Sequence, residues 1–489
     1  MGALPWRRLP IMKTTDEKAT TNGKATTMFD DTIAAISTPL GEGGIGIVRV
    51  SGPDSIGVCN RVFRGRQSLE ETPTHSVNYG KIVDPKAKRV VDEVLVTVMR
   101  GPRSYTAEDI VEISGHGGLT ALEEILGVVL REGARLAEPG EFTKRAFLNG
   151  RMDLSQAEAV IDVIRARTSQ GLGVAVAQLQ GRLGGAVGQL HAGLLAALAG
   201  IEAHVDYPEE DLAPLDGRQI LQLIDDAIGG IGRLLETARF GRMVREGLRI
   251  AIVGKPNVGK SSLLNALLLE DRAIVTEIPG TTRDLIEENL NLGGFPVVLI
   301  DTAGIRETSD AVESIGVKKT RDALRYADLV FLVLDGTGGL AGEDRQLMKD
   351  IADLNTMVLI NKIDKERAEL SRATVMEAEE FQGHWSLMEV SALEGTGLKS
   401  LQDAVKEMFI AGEVRPGESA IVSNARQEQS LRAALEELKA AADTIRDGLP
   451  LDLASVELRR GIEWLGKVTG DTASEDLLDE IFSRFCLGK

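Results

Sequence analysis

The chain has 489 residues, 43% of them hydrophobic and 27% charged, enough for about two to four domains with cores of their own. Its net charge of −18 excludes a surface that coats nucleic acid electrostatically, because non-specific affinity for a phosphate backbone comes from Lys and Arg; an RNA partner needs a local basic patch or a helper protein. Two cysteines, Cys59 and Cys486, and five scattered histidines offer no metal-ligand cluster, and so few thiols fit a reducing compartment.

Residues 1–28 hold Arg7, Arg8 and many Thr and Lys with little apolar periodicity. They lack the apolar centre of a signal peptide, and Asp16 and Glu17 suit a transit peptide poorly, so a disordered extension and a cytoplasmic chain are expected. From residue 31 the pattern changes. The runs 31–38, 45–50, 90–99 and 109–114 predict strands and 119–131 a helix, so residues 29–150 are expected to form an α+β domain. No chemical motif stands in this stretch by itself: Gly41-Glu42-Gly43-Gly44 is too generic for a nucleotide loop, and His116, set between glycines, reads as a turn residue.

Residues 151–245 become rich in Ala, Leu and Gln at helical spacing, and the same character returns after residue 412, over 427–449, 453–465 and 474–485. Each segment alone leaves an apolar face in water. The simplest solution packs the two as one discontinuous helical domain, 151–245 with 412–489, with residues 246–411 inserted as a nucleotide-binding domain; two separate small bundles are the alternative. Within it Leu183, Val187, Leu190, Leu194, Leu198 and Ile201 mark one helix face, which predicts a bundle helix and no membrane span.

The apolar run 248–253 leads into Gly254-Lys255-Pro256-Asn257-Val258-Gly259-Lys260-Ser261-Ser262 and then into an apolar stretch at helical spacing. Strand, glycine loop and helix in that order predict a P-loop. Gly254 and Gly259 let backbone N–H groups close on phosphate oxygens, and Lys260 sets a charge between the terminal phosphates. Ser261 offers a hydroxyl to Mg²⁺, and the helix N-terminus adds partial positive charge.

Downstream signals follow the order of a guanine-nucleotide domain. Pro279-Gly280-Thr281-Thr282-Arg283-Asp284 supplies Thr282 for Mg²⁺, and the strand expected over 295–300 ends at Asp301-Thr302-Ala303-Gly304. There Asp301 holds Mg²⁺ through water, and the Gly304 N–H senses a γ-phosphate. Strands over 329–334 and 357–360 come next, the second ending at Asn361-Lys362-Ile363-Asp364, and Ser391-Ala392-Leu393 closes the set. The Asp364 carboxylate accepts from the N1–H and N2–H₂ edge of guanine; adenine would leave it unpaired at about 1–3 kcal/mol, so GTP is expected over ATP. Ile305 follows Gly304, where Ras-like proteins carry a water-orienting Gln. Help must come from elsewhere. An arginine finger gives roughly 10³–10⁵ in rate, and no pattern here names one.

With these residues in view the chain resembles the MnmE (TrmE) family of tRNA modification GTPases from about residue 29 to its end. The resemblance rests on the segments 43–52, 139–150 and 280–284 and on the terminus Phe485-Cys486-Leu487-Gly488-Lys489. It implies an α/β and all-α multidomain chain: an N-terminal α+β folate-binding and dimerising domain, a discontinuous helical bundle and an inserted Ras-like P-loop G domain. It also implies a homodimer that joins the FAD-dependent partner MnmG (GidA) in a heterotetramer. Together they add an aminomethyl or carboxymethylaminomethyl group to C5 of the wobble uridine of tRNA. The carbon comes from a tetrahydrofolate derivative, 5,10-methylene or 5-formyl, while FAD stays on the partner and GTP hydrolysis drives the cycle.

Carried onto matching positions, the resemblance implies a GTP site of Asn257, Val258, Gly259, Lys260, Ser261, Ser262, Thr276, Glu277, Ile278, Pro279, Gly280, Thr281, Thr282, Asp301, Thr302, Ala303, Gly304, Asn361, Lys362, Ile363, Asp364, Ser391, Ala392 and Leu393. Mg²⁺ falls to Ser261 and Thr282, and K⁺ to Asn257, Thr276, Ile278 and Thr281, where it replaces the arginine finger. Glu313 is implied to orient the water network; spacing alone reads it as a solvated charge at a helix start. Arg49, Glu112, Arg151 and Lys489 are implied folate contacts, and Cys486 a thiol for the one-carbon chemistry, against the plainer reading of a small buried side chain. Two rivals stand beside this: a ribosome-assembly GTPase switch of the Era or Der type, which folate binding excludes, and a dimerisation scaffold, which K⁺-stimulated turnover excludes.

Overall fold

The structure is a computed structural model that describes residues 29–206, 217–270, 287–292, 294–301, 324, 327–365, 369–409 and 419–489. The chain divides into two compact units, Met1–Ile161, Gly184–Ile224 and Glu436–Lys489 in one, and Asp162–Leu183 with Asp225–Leu435 in the other.

In the first unit, period-two alternation of Val and Ile with polar residues builds a seven-stranded sheet. Its strands are β1 (Ile33–Ile36), β2 (Gly46–Ser51), β3 (Phe63–Gly65), β4 (Ser76–Asp84), β5 (Arg89–Met99), β6 (Ile110–Gly115) and β7 (Arg135–Leu136), in the spatial order β3-β4-β5-β6-β2-β1-β7. All pairs are antiparallel except β1 with β7. Helices α1 (Ser55–Val62) and α2 (Leu119–Arg131) cover one face, where Val48, Val50, Val96, Ile113, Ile125 and Val129 form a core. The alternation that buries Val48 and Val50 turns Arg49 to the opposite face, opposite Glu112 in the β2–β6 register. On that face α3 (Glu141–Leu148) packs Phe142 against Ile33, Ala35 and Ala137.

The helical stretches form α4 (Leu154–Arg165), α5 (Ser169–Leu179), α6 (Arg182–Asp206), α7 (Gly217–Glu236) and α8 (Ala238–Glu246), and return as Ala425–Arg446, Leu451–Thr469 and Glu475–Ser483. The α6 segment Arg182–Ala203 is long and apolar enough to cross a membrane by length and composition. Its buried side chains Leu183, Val187, Leu194, Leu198 and Ile201 nevertheless recur on one face, as in a bundle helix. Within the first unit the C-terminal helix Glu475–Ser483 lies on α3: Phe482 meets Phe147 with ring centroids 6.5 Å apart, and Lys144 pairs with Asp479 at 2.5 Å. This contact carries the chain end back to the sheet.

The second unit is built on a six-stranded sheet of β8 (Leu248–Val253), β9 (Glu287–Leu292), β10 (Phe295–Asp301), β11 (Leu329–Asp335), β12 (Thr356–Asn361) and β13 (Ser386–Glu389). Its order is β13-β12-β11-β8-β10-β9, parallel except for the β9–β10 hairpin. The central runs IAIV, VFLVL and MVLI are buried on both faces, as a parallel sheet covered on both sides requires. One face packs with α9 (Lys260–Glu270) and with Val174 of α5 and Phe240, Met243 and Val244 of α8; Phe240 meets Phe295 edge-on at 6.1 Å.

Candidate functional site

Strand β8 ends at Val253, and on the next residue, Gly254, a Cβ would lie 2.4 Å from the Val333 carbonyl oxygen. At Gly259, φ is +100° and a Cβ would lie 2.3 Å from Asn361 Nδ2, so glycine alone fits both backbone and space. Asn257 takes the left-handed conformation that its short amide side chain tolerates, φ +62°. Lys260 opens α9 and folds over the loop, Nζ donating to the carbonyls of Gly254 (2.7 Å) and Lys255 (2.6 Å). Ser261 and Ser262 follow, exposed in the first turn of α9.

Asn361, buried at the end of β12, ties three loops together. Its Nδ2 donates to the Val258 carbonyl at 2.9 Å, and its Oδ1 accepts from the Ala392 N–H at 3.0 Å. Lys362 Nζ donates to the Asn257 carbonyl and pairs with Asp335 Oδ2, both at 2.6 Å. Burial pushes the Asp335 carboxyl up, but hydrogen bonds from Lys362 and Thr337 outweigh it and hold the group below the usual carboxylate range. Ser391 Oγ donates to Asp364 Oδ1 at 2.6 Å, which orients the carboxylate expected to read guanine. Leu393 is 82% exposed beside this loop. Asp301 ends β10 opposite Ile252, so its backbone reaches the P-loop end of the sheet. Thr276, Glu277, Ile278, Pro279, Gly280, Thr281, Thr282, Thr302, Ala303, Gly304, Ile305 and Glu313 lie outside the described residues.

A second constellation lies on the face of the first unit's sheet that α3 covers. Arg49 Nε donates to Glu112 Oε1 at 2.9 Å and Nη1 to the Gly488 carbonyl at 3.3 Å, which Ser37 Oγ also reaches at 3.1 Å. A Cβ on Gly488, at φ +86°, would lie 2.3 Å from the Ile36 carbonyl oxygen, so the C-terminal turn closes on β1 only with glycine there. The Tyr105 ring lies 5.3 Å from the Arg49 guanidinium and 5.2 Å from that of Arg151, and Phe142 lies 5.7 Å from Arg49. Burial first, then the Arg49 charge, lowers the Lys489 ammonium below its usual value, while Glu112 and Cys486 act the other way. All four expected residues, Arg49, Glu112, Arg151 and Lys489, thus converge. Cys486 is exposed on the same turn, which removes the reading of a small buried side chain; Cys59 is buried, and burial pushes its thiol pKa up.

Comparison with known proteins places the chain in one family. The model of the MnmE helical domain matches residues 154–486, and that of the GTP-binding protein TrmE N-terminus matches residues 32–151. The chain belongs to the MnmE family. Proteins named tRNA modification GTPase MnmE from Carboxydothermus hydrogenoformans and Desulforamulus reducens are 49% and 47% identical to it, over 94% of this chain and 100% of theirs. The Geobacillus kaustophilus protein of the same name is 48% identical over 94% of this chain and 99% of its own. Membership in the MnmE family gives the fold class: an N-terminal α+β domain, a discontinuous helical domain and a Ras-like P-loop domain.

Tyr105, Phe142 and Asp335 are absent from the sequence-derived site residues of this MnmE family member. Asp335 had a readable signal, an acidic residue at the C-terminal end of a buried parallel strand, where open α/β sheets bind ligands. Tyr105 and Phe142 had none, since an aromatic residue in a loop or on a helix reads as core until the arginines stacked on it are known.

Proposed function

We propose that the chain is a GTP hydrolase acting in tRNA modification, with the residues described above in the roles its family suggests. The observation that carries this reading is Asn361, whose amide joins the P-loop to the base-reading loop, so that phosphates and guanine are held by one framework. In this reading Lys260 leaves the loop carbonyls for the terminal phosphates, and Asp364, oriented by Ser391, accepts from guanine. The oxygen donors Ser261 and Thr282 suit the hard cation Mg²⁺, which neutralises phosphate charge when bound. Asn257, with the backbone at Thr276, Ile278 and Thr281, suits K⁺, and Glu313 orients water.

The N-terminal constellation is read as a folate site. Two guanidinium groups and an ammonium suit the glutamate carboxylates and polar ring edge of a tetrahydrofolate derivative, and the exposed Cys486 joins them for one-carbon chemistry. The finer reading adds a homodimer, the FAD-bearing partner MnmG, uridine C5 of the wobble base as target, and a cytoplasmic location. Its domains are 29–150, 151–245 with 412–489, and 246–411.

The experiment that tests the reading is GTP hydrolysis at saturating Mg²⁺ in KCl against NaCl. Turnover is expected to be about tenfold or more faster in KCl, at least about 1.4 kcal/mol of barrier, and the gain should vanish in Glu313→Ala. Equal rates in both salts overturn the K⁺ assignment. For the second site, 5-formyltetrahydrofolate is expected to bind the wild-type chain in calorimetry. Arg49→Ala should weaken it by about 1.5–3 kcal/mol, the range for hydrogen bonds to charged groups. Unchanged affinity removes Arg49 from the site.

A further inference from the structure

Four arginines fall within eleven residues of this acidic chain, Arg239, Arg242 and Arg245 on α8 and Arg249 at the start of β8. The buried Phe240, Met243 and Val244 fix the apolar face of α8 on the sheet, and the helical period turns Arg239 and Arg242 outward together. Arg245 is used within the fold, its Nε on Asp162 Oδ1 at 2.8 Å. Among the described residues the side chains of Arg242 and Arg249 make no ion pair. With Arg239 they line a cleft of about 480 Å³, closed by Glu246, Asp328 and Asn355. Asp328 and Asn355 immediately precede β11 and β12, so the cleft opens at the N-terminal ends of the parallel strands. The P-loop follows their C-terminal ends, about 20 Å away along β8 at the rise of a strand.

We propose that this cleft holds a phosphodiester of the RNA substrate's backbone; the proposal rests on the tRNA part of the functional reading. The lining carries three guanidinium groups, of which Arg239 already has a partner within the fold, against two carboxylates, and Asp328 Oδ2 is engaged by the Arg249 backbone N–H at 3.0 Å. The surplus of one positive charge matches the single charge of a phosphodiester better than the multiple charge of a nucleotide's terminal phosphates. Guanidinium forks pair with phosphate oxygens in two parallel hydrogen bonds, and the Asn355 amide suits a neighbouring ribose hydroxyl. The cleft is a local basic patch of the kind through which a chain of this net charge can touch RNA.

The test is fluorescence anisotropy of an end-labelled, unmodified tRNA transcript titrated with the full-length chain between about 50 and about 200 mM KCl. Arg242→Glu is expected to weaken binding about tenfold or more and to reduce the slope of log affinity against log salt by about 0.9 for each phosphate that is no longer neutralised. Arg242→Lys should keep most of the affinity, and Arg249→Gln repeats the loss from a second element. GTP turnover should match wild type in all three, which shows that the fold is intact. Wild-type affinity and slope in Arg242→Glu overturn the cleft while leaving the tRNA reading in place. No binding by the wild-type chain overturns both. Inorganic phosphate at matched ionic strength should not displace the transcript; displacement marks a site for free anions and overturns the RNA assignment.

Discussion

Lys260→Ala is expected to lower GTP turnover by about 10²–10³-fold, the usual cost of removing one fixed electrostatic partner of a reacting group, or about 2.7–4 kcal/mol. The geometry explains why the loss should be kinetic. Gly254, Gly259 and the hydrogen bond that Asn361 Nδ2 donates to the Val258 carbonyl shape the loop without the lysine. Lys260 Nζ meanwhile sits within 2.7 Å of two loop carbonyls, at the mouth of the cradle where the terminal phosphates would lie. Single-turnover phosphate release checks the rate, and thermal unfolding checks the fold. Turnover within about threefold of wild type, under 1 kcal/mol, would remove Lys260 from the phosphate site.

Arg145→Ala is expected to destabilise the first unit by about 3–5 kcal/mol, because removing one partner of a buried ion pair strips the fully buried Glu108 of its cation and weakens the pairing of Asp31 and Glu141. Arg145 is fully buried. Its guanidinium donates to Asp31 Oδ1 (2.7 Å), Glu141 Oε1 (2.9 Å), Glu108 Oε1 (3.3 Å) and the Asp31 carbonyl (3.0 Å), with the Phe29 ring 4.4 Å away. Among the described residues only Arg135, half-exposed, would still pair with Asp31 and Glu141, each at 2.6 Å. Urea unfolding followed by far-ultraviolet circular dichroism measures the loss, and a midpoint unchanged from wild type would contradict it.

The same cluster sets a pH dependence. Burial pushes the Asp31 and Glu141 carboxyls up, but Arg135 and Arg145 outweigh it, so both titrate below their usual values. Their stabilisation is present above the ordinary carboxylate range and lost as pH falls through the lowered values. Glu108 has the opposite sign: burial raises it against the pull of Arg145, so its contribution is present below its ordinary pKa and lost as pH rises through the raised one. Two groups oppose one. Stability should therefore fall below about pH 4, and Arg145→Ala should flatten that fall.

By itself the sequence determined whatever a short stretch of backbone decides. The P-loop, the buried runs 248–253, 295–300, 329–334 and 357–360 and the one-sided helix within 183–201 all depend on glycine freedom or on period, which need no distant partner. Strand β4 already escapes this rule, since SVNYGKIVD carries weak alternation and becomes a strand by pairing along its length with β5. The tertiary structure alone decided which side chains meet. Asn361 reaches the P-loop across 103 residues, Arg145 reaches Asp31 across 114, and Arg49 meets the Gly488 carbonyl across 439. Such contacts leave no local trace. Each partner is an ordinary polar residue in its own segment, and its role appears only when loop closure and packing bring the other within hydrogen-bond reach.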